Sequence, residues 1–203
     1  MIRTALALAL MAATAAAQEE TFWVGHSDKL VNITFEAHAD IESIVGHTMK
    51  ATGEIRMDAA RETGSVSITV PVREMTTGIK LRDEHMRSAG WLDEAKFAEI
   101  SFTSKKIEKV KDARDRFTVT GDFTMHGVAR ETTVEVAMKA LPADASKKLM
   151  LPDGKVIRFT AEFSVKLSDH GVKVPDMAVG KVENEWKVKM TLFASTAKLP
   201  EKK

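Results

Sequence analysis

No cysteine occurs in the 203 residues, which rules out disulfides, thiol nucleophiles and cysteine-based metal sites. Neither charge is in excess: 30 Lys and Arg stand against 29 Asp and Glu, finely mixed along the chain. No Lys/Arg-dense face stands out, so the electrostatic case for nucleic acid is missing. There is no apolar run long enough to span a bilayer comfortably. Internal repeats, low-complexity segments and linkers are absent too, and amphipathic helical patterning is scarce. What is present is 44% hydrophobic residues, enough for the core of one domain.

The first residues set the expected compartment. Met1-Ile-Arg3 is a positive start, Ala5 to Ala12 a short apolar run, and Thr14-Ala-Ala-Ala17 ends in a small-x-small site. This is the pattern of a cleaved secretory signal over residues 1–17, with the cut between Ala17 and Gln18. The predicted mature unit is a single domain over 18–203, exported to the periplasm and not integral to a membrane. Losing Arg3 leaves its two charge signs equal. Without disulfides, such a chain must hold together by burial alone, which favours a closed core.

Period-two alternation runs through nearly all of the rest. Val31, Ile33 and Phe35 share one face, and Ile55 and Met57 another; Val66, Ile68 and Val70 follow, then Ile100 and Phe102. Phe117, Val119, Phe123 and Met125 come next, before Val134, Val136 and Met138, then Ile157, Phe159, Phe163 and Val165, and finally Trp186, Val188, Met190 and Leu192. Each strand buries one face and wets the other, which is antiparallel behaviour. With hardly any helix to cover a sheet, the apolar faces must cover one another. The prediction is an all-β fold: one antiparallel lipocalin-like barrel of about eight strands. Hairpin turns are expected at Thr63-Gly64, at Gly127 to Arg130 and at Pro152-Asp-Gly154. The helix-compatible pieces, Lys80 to Ser88 and Leu92 to Phe97, are short enough to be turns at the barrel's mouth.

Catalytic and metal motifs are thin. His26, His38, His47, His85, His126 and His170 form no H-x-x-x-H or H-E-x-x-H pair, so no metal is expected. No G-x-S-x-G elbow and no glycine-rich phosphate loop occurs. Arg82, Asp83 and His85 form a compact charged set, read as bracing a loop in preference to catalysis. The inward-facing set is more informative: Phe35, Met57, Ile68, Phe102, Phe117, Phe123, Met125, Phe159, Phe163 and Met190. Flexible Met and flat Phe surfaces suit a long, chemically plain ligand. A barrel of this size is either filled or holds one small ligand, and the sequence leaves both open.

Several segments resemble the YceI-like family. Phe22-Trp-Val-Gly-His-Ser27 looks like its opening aromatic-x-x-x-H-S, and Thr77-Gly78 with Leu81-Arg-Asp-Glu-His-Met-Arg-Ser88 its T-G…R-D-x-H-L-x-S. Phe97 to Ser104 is similar to K-Y-P-x-I-x-F-x-S, Phe117 to Val128 to Y-x-V-x-G-D-L-T-I-H-G-V, and Lys166 to Val172 to N-R-S-D-F-G-I. Trp91-Leu92 stands in place of paired Phe, Ala98 in place of Pro, and Leu167 and His170 in place of Arg and Phe. Asn184-Glu-Trp186 also departs from the usual hairpin into the last strand. The resemblance implies a lipocalin-like barrel, usually periplasmic, that binds polyisoprenoid or related amphiphilic lipids. Homodimers are known in such proteins, and no catalytic activity or resident cofactor is implied.

The expected function is therefore an exported carrier of an isoprenoid-type lipid, an isoprenoid quinone being one candidate. The ten inward residues would hold the tail. Arg82, Asp83, His85, Met86 and Trp91 would meet the head group at the mouth. The alternatives are a filled-barrel interaction module without lipid, and an enzyme acting on an amphiphile with His85 as base.

Overall fold

Ten strands appear in the computed structural model, which describes residues 19–58 and 63–199; the leader assigned to residues 1–17 lies outside the described residues. They are β1 (Glu20–Val24), β2 (Val31–His38), β3 (Ser43–Thr48), β4 (Thr52–Asp58), β5 (Thr63–Pro71), β6 (Glu99–Lys109), β7 (Arg116–Met125), β8 (Val128–Ala140), β9 (Val156–Lys166) and β10 (Glu185–Ser195). Two short helices accompany them, α1 (Lys80–Arg87) and α2 (Ala145–Lys148). No helix of the described residues is long and apolar enough to cross a membrane.

All pairings are antiparallel, and the ring β1-β4-β5-β6-β7-β8-β9-β10 closes through β1 on β10. The two extra strands do not enlarge it. β1 and β2 lie end to end along β10, with Val24 opposite Ala194 and Val31 opposite Leu192. β3 and β4 lie end to end against them, with Thr48 opposite Ile33 and Gly53 opposite Val24. The result is an eight-stave barrel in which two staves are broken.

Two turn assignments change. Thr63 and Gly64 already belong to β5, because their pairing with Asp58 and Met57 continues the ladder. The β7–β8 turn is only His126-Gly127, at φ 52° and 72°, so Val128 to Arg130 extend β8. Positive φ at both central residues suits a two-residue hairpin, whose twist then matches the strands. Lys80 to Arg87 forms a short helix and Leu92 to Phe97 turns, both as the sequence suggests.

The barrel's two ends differ. At one, the β4–β5, β6–β7 and β8–β9 connections are made. At the other, α1 and the β9–β10 connection fold over the strands. Leu92 and Leu167 are 1% and 0% exposed there, and Met86, Val172 and Met125 are buried with them. Phe35 stacks on Trp186 at 5.0 Å in this plug. The indole N–H groups of Trp91 and Trp186 are buried with no partner among the described residues, a cost of about 1–3 kcal/mol each set against the apolar contacts of both rings.

Gly46, opposite Phe35 in the β2–β3 ladder, is required by this plug. A Cβ there would lie 2.0 Å from the Phe35 ring. Gly46→Ala is expected to push Phe35 off Trp186 and destabilise the fold by about 2 kcal/mol, as overpacked cores do. Urea melts followed by tryptophan fluorescence will show it as a lower midpoint with an altered native spectrum.

Candidate functional site

The barrel encloses a cavity of about 390 Å³, in the range of small-molecule sites. Its wall is aliphatic, aromatic and thioether, because alternation turns the polar half of each strand to solvent. All ten inward residues named above line it: Phe35, Met57, Ile68, Phe102, Phe117, Phe123, Met125, Phe159, Phe163 and Met190. Strand register brings some of them face to face, with Phe102 opposite both Ile68 and Phe123. Phe123 meets Phe163 edge-on at 5.9 Å and the buried His170 at 5.4 Å, so the helix end forms a firm floor.

The five residues expected at the mouth are elsewhere. Arg82, Asp83, His85, Met86 and Trp91 belong to the α1 segment, and none lines the cavity. The β5–β6 connection that carries them falls at the plugged end, where Met86 is 6% exposed and Trp91 packs against the core. Arg82 forms an ion pair with Glu42 of the β2–β3 turn. His85 is exposed. Asp83 is buried and accepts hydrogen bonds from Thr76 Oγ1 (2.5 Å), the Thr77 backbone N–H (2.7 Å) and Thr77 Oγ1 (2.7 Å). Burial pushes its carboxyl up. The Thr76 and Thr77 hydrogen bonds and the Arg87 charge outweigh that and hold it below the usual carboxylate value. The group is a structural tie between α1 and the Thr76-Thr77 segment ahead of it.

The cavity opens at the opposite end. There its lining turns polar, with Arg56, Asp58 and Thr63 from the β4–β5 hairpin and Lys109 and Arg114 from the β6–β7 hairpin. The sequence reading gave none of them a site role, because the four charged ones look like ordinary solvated charges on a strand face or hairpin and Thr63 like a turn residue. The charge-dense run Lys109 to Arg116 was the only available signal. The wall is also split here. β5 and β6 pair from Pro71–Glu99 only as far as Ser67–Thr103. A bulge between Ser104 and Lys106 then turns β6 with β7, and the Val66 N–H donates to Ser104 Oγ at 2.8 Å instead of to a carbonyl. Among the described residues, no cluster of three or more His, Asp or Glu side chains is placed to hold a metal ion.

Comparison with known proteins agrees with this architecture. The family model described as a YceI-like domain matches residues 26–194. Protein YceI of Escherichia coli O157:H7 is 33% identical over 108 residues, 53% of this chain and 52% of that protein; the aligned part spans about half the length of the curated relatives it matches. Among solved structures, Burkholderia cenocepacia BcnA superposes with a TM-score of 0.69 at 20% identity, covering 82% of this chain and 98% of that one. A polyisoprenoid binding domain from Saccharophagus degradans implicated in plant cell wall breakdown superposes at 0.60 with 14% identity, covering 88% and 99%. At those identities the likeness is one of fold.

Proposed function

The chain belongs to the YceI-like family, and from that membership we propose that it is a non-enzymatic carrier or sequestering protein for an isoprenoid-type or related amphiphilic lipid. The observation that carries the reading is the cavity itself: about 390 Å³, apolar along its length and, among the described residues, charged only at its open end. The polyisoprenoid-binding description of the Saccharophagus degradans domain supports it. Burial of each isoprene unit's five carbons against the Phe/Met wall is worth about 4 kcal/mol before ordering costs. The tail lies toward the plug and the head at the hairpin end, so the head-group role passes from the α1 segment to the residues around Arg114. An isoprenoid quinone remains a candidate ligand, and residues 1–17 are proposed to direct export to the periplasm.

One experiment tests these points together. Protein expressed from the full chain and purified from the periplasmic fraction is expected to give a native mass spectrum of a species starting at Gln18. It should carry a noncovalent lipid that organic extraction releases, and the same spectrum reads the number of copies. A protein that folds, exchanges no added isoprenoid and carries no lipid would overturn the carrier reading in favour of an interaction module.

A further inference from the structure

We infer that the seam between β5 and β6 is a lateral gate, through which an apolar tail enters and leaves the barrel sideways, with Ser104 as its latch. This rests on the carrier reading and adds a route to it.

Backbone ladders zip the neighbouring seams. β7 and β8 pair along the whole of β7, from Arg116–Ala137 to Met125–Val128, and β4 pairs with β5 from Thr52–Thr69 to Asp58–Thr63. The β5–β6 ladder stops at Ser67–Thr103. The bulge that follows carries Lys106 to Lys109 along the β7 ladder instead. Where the strands part, the Val66 N–H donates to Ser104 Oγ at 2.8 Å. A hydroxyl on a rotatable side chain takes the place of a fixed carbonyl there, and releasing it costs one neutral hydrogen bond instead of a ladder.

The lips of the parting are apolar and face the ligand space. Val66 on β5 and Ile107 on β6 are half-buried and line the cavity. Gly64 of the β5 lip lines it too and puts no side chain in the way. The parting runs out between the β4–β5 and β6–β7 hairpins, so it is continuous with the open end. β8 and β9 also part, beyond Val136–Ala161, but that parting ends at the plug. There His170 Nδ1–H donates to the Val128 carbonyl at 2.8 Å and Arg130 Nε–H to the Asp169 carbonyl at 2.8 Å. That seam is tied at both ends, and the β5–β6 seam is laddered at one. A tail whose head sits at the open end can swing out through the β5–β6 seam from the head inward, with no need to slide the length of the barrel.

The test pins the seam and times exchange. Ser65 and Lys106 are exposed on its two sides and lie outside the cavity lining. The chain has no cysteine of its own, so a short bis-maleimide added to the Ser65→Cys/Lys106→Cys variant can staple only these two positions within a molecule. The same variant capped with N-ethylmaleimide is the control. Each is loaded with farnesol and mixed with excess deuterated farnesol, and native mass spectrometry follows the exchange. The stapled protein is expected to exchange about tenfold more slowly or less than the control, with equal affinity for farnesol. Ser104→Ala is expected to exchange about fivefold faster than wild type, the worth of one neutral hydrogen bond, and Ser104→Thr, which keeps the hydroxyl, to match wild type. A stapled protein that exchanges as fast as the capped one overturns the gate and leaves the carrier standing. An unchanged rate in Ser104→Ala overturns the latch. Failure of farnesol to bind the capped variant and wild type alike overturns the carrier reading, and the gate with it.

Discussion

Phe102→Asp is expected to strip the protein of lipid. The side chain points into the barrel from β6, between Ile68 on one side and Phe123 on the other, and it lines the cavity. A carboxylate there either keeps its charge, with its water, in the path of an apolar tail, or takes up a proton and still offers a polar group with nothing to bond. Either outcome costs several kcal/mol of ligand affinity, about a thousandfold or more. Phe102 faces open space and is only partly buried, so the loss should fall on binding more than on folding. Circular dichroism checks the fold and extraction with mass spectrometry checks the lipid. Met190→Trp, which occupies the cavity without charging it, should lose lipid as well. A folded Phe102→Asp protein that keeps its lipid would remove this residue from the binding wall.

Asp83→Ala is expected to loosen the closed end. The substitution leaves three donors, Thr76 Oγ1, the Thr77 N–H and Thr77 Oγ1, without their acceptor. It also frees α1 from the Thr76-Thr77 segment, which is bridged to His47 of β3 through Thr76. A loss of about 3 kcal/mol follows from orphaning a charged, buried acceptor's partners, or a fall in melting temperature on the order of 10 °C for a chain of this size. The pH dependence has a definite sign. Because the folded-state pKa is lowered, the carboxylate's contribution is complete above the ordinary Asp value of about 3.9. It fades as the pH drops below that value toward the folded-state pKa. The gap between wild type and Asp83→Ala should therefore narrow in acid. A gap that stays constant from neutral pH into strong acid would show that Asp83 acts through packing and not through its charge.

How much of this was legible beforehand divides along physical lines. Alternation is a local property, and it was enough to turn Phe102, Phe123 and Met190 inward, because an antiparallel strand with one dry face allows no other arrangement. Which end of the barrel is shut is not local. It depends on Met86 and Leu92 from one connection meeting Leu167 and Val172 from another, and no spacing in either segment encodes that meeting. Arg82, Asp83 and His85 drew attention because their segment is irregular, and irregularity marks a plug as readily as a mouth. Arg56 went unnoticed for the opposite reason, since its surroundings are regular, and Arg114 because a charged hairpin tip looks like ordinary solvated surface. The broken staves were likewise hidden: Val24 and Val31 belong to one continuous line along β10, though the intervening residues interrupt the alternation.

The split between β5 and β6 has a colloidal consequence. Closure is how barrels avoid offering a strand edge to other chains, yet here Thr63 to Val66 pair only with β4 and Lys106 to Lys109 only with β7, and the two runs do not pair with each other. Those two runs are a template on which a second molecule could lay a strand. The β6 side carries Lys105, Lys106, Glu108 and Lys109, with Lys105 bonded to Asp122 at 2.5 Å and Lys106 to Glu108 at 2.9 Å. An incoming strand would have to strip water from this array before gaining its first backbone bond. The slit beside the cavity's open end is thus also a strand edge, and the paired lysines that border it make strand addition there costly.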